Sequence, residues 1–216
     1  MALHRIQQAK KYQISRLVTT VNGSYERVTM HGLRESLLDQ QVQELGIPLT
    51  KIVLPENADM DTYNRIMSET MGELKQANFK NTAFGDIFLE DLRKYREDQL
   101  AKHDIAALFP LWKENTSELA KSFIDQGFKS IIVACNDELG EEFVGRQFDH
   151  SFLNDLPDSI DPCGENGEFH TFCYDGPIFQ NPIMFEIGEK TVKHYPAPDG
   201  SDKKSSFWFC DLIPTT

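Results

Sequence analysis

The stretch Ser130-Ile131-Ile132-Val133-Ala134-Cys135 reads as a β-strand with no polar face. Its apolar residues follow one another instead of alternating with polar ones, as in a strand covered on both sides. Just upstream, Asn115 stands three residues before Glu118 and opens a helix that carries Leu119, Ala120, Phe123 and Ile124. Gly127 closes that helix. A helix feeding a doubly covered strand is the repeating unit of a parallel sheet, so this segment predicts the fifth strand of one.

The same alternation runs back to the start of the chain. Ile14–Val21 reads as a strand, and Leu33, Leu37, Leu38, Val42 and Leu45 follow helical spacing up to Gly46 and Pro48. Lys51–Leu54 is a second strand. Asp61 is placed to cap a helix bearing Tyr63, Ile66, Met67, Met71 and Leu74 on one face. Thr82–Gly85, a charged helix over Ile87–Ala101, and Ala106–Phe109 complete the series. The expected fold is α/β, a parallel sheet with helices on both faces, and ligands of such sheets sit beyond the carboxyl ends of the strands.

The pattern changes after Asp149. Phe169–Tyr174, Ile183–Ile187, Thr191–His194 and Ser206–Cys210 read as strands joined by turns at Asp175-Gly176-Pro177 and Asp199-Gly200. The expected organisation is an α/β domain over 1–148 and a small antiparallel β-rich region over 149–216.

The 216 residues carry 22 Lys+Arg against 34 Asp+Glu, a formal charge of −12. That charge repels a phosphate backbone, and the densest basic stretch, Arg93-Lys94-Tyr95-Arg96, lies among acids, so nucleic acid is not expected as a partner. No apolar run approaches the ~20 residues of a membrane helix. Four scattered cysteines without a C-x-x-C pair point to free thiols and a cytoplasmic protein, not to a disulfide scaffold or a zinc site. Walker A, G-x-G-x-x-G, G-x-S-x-G and H-E-x-x-H motifs are absent.

The chemistry concentrates in Asp161-Pro162-Cys163-Gly164-Glu165-Asn166-Gly167-Glu168-Phe169-His170-Thr171. Two glycines flank Glu165-Asn166, so the backbone can fold tightly and offer N–H groups to an anion. Glu168 and His170 fall two apart, on one side of a strand if it begins there, where a carboxylate and an imidazole can share a proton or position an amine. Gly85-Asp86 marks a strand-to-helix junction, and Asp86 is placed either to cap the helix or to present a carboxylate to Mg²⁺. Thr19, Thr20 and Asn22 can hydrogen-bond a ligand, and Arg27, His31 and Arg34 form a cationic cluster suited to a polyphosphate. Arg146 is placed to pair with Asp149, and Trp112 reads as core.

Several segments together resemble the diphthine–ammonia ligase family, in particular its single-domain bacterial branch of PP-loop ATP-binding proteins. They are Val18-Thr19-Thr20-Val21-Asn22, Met30-His31-Gly32, Phe84-Gly85-Asp86-Ile87, Tyr95-Arg96-Glu97, Phe109-Pro110-Leu111-Trp112, Gly145-Arg146 with Asp149, and Cys163 through Thr171. The resemblance implies an adenine nucleotide alpha hydrolase-like fold and an ATP-dependent ligase. A substrate carboxylate is adenylated with loss of pyrophosphate, and ammonia then displaces AMP to form an amide. It implies ATP and Mg²⁺, with Thr19, Thr20, Val21, His31 and Gly85 on the nucleotide. Asp86 holds the metal or the reacting carboxylate. Glu168 and His170 act at the reacting centre, and Cys163, Gly164, Glu165, Asn166, Gly167 and Thr171 shape the substrate site. Family analogy gives diphthine on elongation factor 2 as acceptor, which this sequence does not name.

The family opens with a strand and a Ser-Gly-Gly-Lys-Asp-Ser loop that holds the pyrophosphate end of ATP, and the sequence contains no such loop. The expectation is a chain that starts after its phosphate site, with a strand missing between Ile14–Val21 and Thr82–Gly85. If that loop is genuinely lacking, the alternative is a non-catalytic nucleotide- or metabolite-binding module. A tRNA-modifying relative of the same superfamily is disfavoured by the charge and the lack of C-x-x-C pairs.

Overall fold

The computed structural model describes residues 1–23, 27–28, 31–56, 58–196 and 204–215. In chain order its elements are α1 (Ala2–Ala9), β1 (Leu17–Asn22), β2 (Arg27–Val28), α2 (Glu35–Leu45), β3 (Leu49–Leu54), α3 (Met60–Gln76), β4 (Asn81–Ala83), α4 (Glu90–Ala101), β5 (Ala106–Leu108), α5 (Thr116–Asp125), β6 (Lys129–Asn136), α6 (Gly140–Phe143), α7 (His150–Asp155), β7 (Phe169–Asp175), β8 (Phe185–Pro196) and β9 (Lys204–Pro214). They form two compact units, each built from two stretches of chain: 1–25 with 47–115, and 26–46 with 116–216.

In the first unit β1 and β3 pair in parallel, from Leu17 opposite Leu49 to Asn22 opposite Leu54. β4 and β5 pair in parallel from Asn81 opposite Ala106 to Ala83 opposite Leu108. Met71, Leu74, Leu100 and Ile105 make a small core beneath β5. The α3 cap is Asp59, whose carboxylate accepts from the Thr62 N–H at 2.8 Å, and not the expected Asp61, which lies within the first turn. Asp86 likewise caps nothing, because α4 begins beyond it with Leu89 at its cap. Among the described residues no ladder joins β1 to β4. Leu17–Thr20 and Asn81–Gly85 instead line one cavity of about 930 Å³, with Leu3 and Ile6 of α1 on its wall.

The second unit holds a four-stranded sheet in the order β7-β6-β9-β8, every neighbour antiparallel. The parallel five-stranded sheet is therefore realised only in its β1–β3 and β4–β5 pairs, and the architecture is mixed α/β with parallel and antiparallel parts. Ser130–Cys135 lies in β6, at the interior of the antiparallel sheet and fully buried. A continuous apolar run records that both faces are covered; it carries no information on the direction of the neighbouring strands. The core around β6 takes in Leu33, Leu37, Phe152, Phe169, Phe172 and Leu212.

Ile183–Ile187 and Thr191–His194 belong largely to one strand, β8, with an irregularity between Ile187 and Lys190. Gly188 falls in it, and a Cβ there would sit 3.2 Å from the Asp211 carbonyl oxygen. The expected Asp199-Gly200 turn lies outside the described residues.

Candidate functional site

The 161–168 segment folds into a tight loop because its glycines occupy left-handed conformations, φ +67° at Gly164 and +84° at Gly167. Gly164 N–H donates to Asp161 O at 2.8 Å and Gly167 N–H to Gly164 O at 3.0 Å. The remaining N–H groups do converge on anions, and those anions are the protein's own. Asp161 Oδ2 accepts from Cys163 N–H and Glu165 N–H, both at 3.0 Å. Glu168 accepts from Asp161 N–H at 3.1 Å, Asn166 N–H at 3.0 Å and Asn166 Nδ2 at 2.9 Å. The loop is thus a nest closed around two carboxylates, with Glu168 only 8% exposed.

Glu168 precedes β7 and turns back into its loop, so it does not share a proton with His170. His170 stands on β7, where its backbone is paired with Ala134 of β6, and Thr171 follows opposite Ile132. The ring partner of His170 is His31, with centroids 4.7 Å apart and planes inclined by 47°. Burial, and then His31, push the His170 imidazole down to about 4, so it is neutral near pH 7. Cys163 is half-buried and its Sγ donates to Thr116 O at 3.3 Å. Cys135 and Cys173 are pushed up by burial to about 12 and about 11, which keeps them as thiols.

Arg27, His31 and Arg34 do gather. Arg34 forks onto Asp211 of β9, with Nε to Oδ1 at 3.0 Å and Nη2 to Oδ2 at 2.6 Å. Arg27 Nη1 reaches Asp211 Oδ1 at 2.9 Å. The hydrogen bond from Arg34 is the main cause that holds the Asp211 carboxyl below its usual range. Asp211 carries no local signal of this role, because the pair spans 177 residues.

In the first unit Thr19, Thr20 and Gly85 line the cavity, whereas Val21 is buried in the core. Lys11, Arg16, Lys80 and Arg96 also line it, and no Asp or Glu does among the described residues. Asp86, 8% exposed, faces Arg96. Arg96 Nη2 donates to Oδ1 at 3.2 Å, while Nε and Oδ2 approach to 2.8 Å without the alignment of a hydrogen bond. The Arg96 guanidinium also lies 4.3 Å from the Phe84 ring centre. A carboxylate committed to a cation does not fit a resident Mg²⁺. Among the described residues no three His, Cys, Asp or Glu side chains gather as metal ligands. Arg93 lies over Phe109 and Trp112, so Trp112 is one face of a guanidinium–aromatic stack. Arg146 pairs with Asp155 at 2.6 Å, not with Asp149, whose carboxylate caps α7.

The loop, β7 and β8 fall within a match to a known family model. Residues 115–196 match the model described as the diphthamide synthase C-terminal domain. Among curated proteins, the diphthine–ammonia ligase of Bos taurus is 28% identical over 109 residues, covering 47% of this chain and 40% of the relative. That of Homo sapiens is 26% identical over 112 residues, covering 48% and 42%. The matched part is less than half the length of these relatives. No helix among the described residues is long and apolar enough to cross a membrane.

Proposed function

We propose that this chain is part of an ATP-dependent amide-forming ligase of the diphthine–ammonia ligase type. The observation that carries the reading is the closed Asp161–Glu168 loop leading directly into His170, inside the segment that matches the diphthamide synthase C-terminal domain. In this reading residues 1–148 handle the nucleotide and 149–216 form the substrate side. The substrate is a carboxylate acceptor, diphthine by analogy with the named relatives, and the family resemblance puts that diphthine on elongation factor 2.

The carboxylate oxygen bonds to the α-phosphorus of ATP as the bond to the β-phosphate bridge breaks and pyrophosphate leaves. Ammonia then bonds to the acyl carbon, AMP departs with the C–O electron pair, and the amine sheds a proton. Glu168 is a positioning residue that keeps the loop closed. His170 is too weak a base to hold a proton at neutral pH, and as a neutral imidazole it accepts a hydrogen bond that orients the amine. The cavity between β1 and β4 supports the nucleotide side: in a chain of charge −12 its lining carries four cations and no carboxylate.

The test is pyrophosphate release from ATP in the presence of ammonia and an acceptor, by protein from the full reading frame. His170→Ala is expected to lower the ammonia-dependent rate at least tenfold; an unchanged rate sinks the role given to it. A binding module is the second reading, favoured by the commitment of Asp86 to Arg96 and of Glu168 to its own loop. ATP binding without pyrophosphate release is its signature.

A further inference from the structure

The turn that carries His31 is fastened to β9 at several points. Arg27 and Arg34 face each other across an antiparallel bridge, and Val28 N–H donates to Leu33 O at 2.8 Å. Both guanidiniums converge on the one carboxylate of Asp211, and the Arg27 group that reaches it, Nη1, also donates to Gly32 O at 2.5 Å. Gly32, next to His31, has φ +63°, and a Cβ there would stand 3.0 Å from the Phe209 ring. Arg27, Gly32 and Arg34 are therefore held against β9, with Leu33 in the core and His31 against His170. A forked arginine–carboxylate contact fixes orientation as well as distance, which a single ion pair does not.

We infer that Asp211 is a positioning residue: by holding Arg27 and Arg34 it seats the turn on β9 and sets the His31 ring against His170. What the paired rings do in catalysis rests on the proposed ligase reading; their placement by Asp211 does not.

A direct charge effect and a positioning effect have opposite signs at His170. Removing a nearby negative charge makes an imidazole harder to protonate and lowers its midpoint further. Releasing the turn lets water reach His170 and removes its neighbour, so the midpoint rises from about 4 toward the ordinary 6.5. The experiment is an NMR titration of both imidazoles, with the cross-relaxation between the two rings, in the full chain. Asp211→Asn keeps the shape and loses the charge. The expected result is a lost ring-to-ring signal and a raised His170 midpoint, both recovered in part by Asp211→Glu. A folded Asp211→Asn protein that keeps the ring contact, with a midpoint unchanged or lower, overturns the inference. If Asp211→Asn does not fold, Arg34→Lys, which keeps the charge and loses the fork, is read by the same two signals and the same criterion. None of these readouts needs ATP or an acceptor, so failure here is distinct from failure of the ligase reading.

Discussion

His170 and His31 meet with ring centroids 4.7 Å apart, and the ring of His170 is mostly withdrawn from water. Two imidazoles this close cannot both be protonated cheaply, and burial makes even one charge costly. His170 is consequently neutral at physiological pH. That suits accepting a hydrogen bond more than carrying charge, and it has consequences for stability as well as for chemistry.

The folded His170 midpoint, about 4, lies below the ordinary 6.5, so the unfolded chain binds the proton more readily. The stabilisation is complete above pH 6.5, falls as pH drops from 6.5 to 4, and changes no further below 4. The drop attributable to this group is about 3 kcal/mol. Urea unfolding at pH 7, 5 and 4 should show His170→Gln losing less stability on acidification than the parent. Equal losses would mean the imidazole is not depressed.

Gly164 and Gly167 separate two costs that usually come together. Both are left-handed, but a Cβ on Gly164 would lie 2.8 Å from Phe169 O, whereas one on Gly167 meets nothing within 4 Å. Gly167→Ala should cost about 1 kcal/mol, the conformational penalty alone. Gly164→Ala should cost about 3 kcal/mol, since the β7 backbone cannot yield as a flexible side chain does. Thermal unfolding of the two variants checks the order; equal shifts would refute the contact.

Glu168 satisfies two backbone N–H groups and one side-chain amide. Glu168→Ala strands those donors and should destabilise by about 2–4 kcal/mol, whereas Glu168→Gln keeps one acceptor oxygen and loses roughly half as much. Hydrogen exchange at Asp161 and Asn166 N–H reports the loop directly. If both amides stay protected in Glu168→Ala, the carboxylate is not what closes it.

Arg96 supplies the countercharge to a buried Asp86. Arg96→Ala leaves that carboxylate without it and should cost about 3 kcal/mol; the double change Asp86→Ala with Arg96→Met should recover part of this. A double variant no more stable than Arg96→Ala in guanidinium melts would argue against a desolvation origin.

Much of the molecule is legible locally. The β-branched runs place β1, β3 and β6, and the aromatic run places β7, within a few residues, and Gly127 and Asn115 bracket α5, because propensity, capping and turn chemistry act over a few residues. The glycines around Glu165-Asn166 announce a tight anion-binding loop, and one forms. That its anions are Asp161 and Glu168 themselves is not legible, since proximity within a loop depends on how the loop closes.

Local patterning thus marks most of the strands and longer helices, the apolar faces, and the short segment that concentrates polar chemistry; α6, α7 and the union of Ile183–Ile187 with Thr191–His194 in β8 lie beyond it. The tertiary structure alone decided that β6 runs antiparallel to its neighbours, because an apolar run reports burial and not direction. It also decided that Arg34 answers to Asp211 across 177 residues, that Asp86 faces Arg96, and that His170 meets His31 in place of Glu168. Each is a contact between residues whose local signals are silent about one another, and only the packing of strands and turns within each unit brings them within reach.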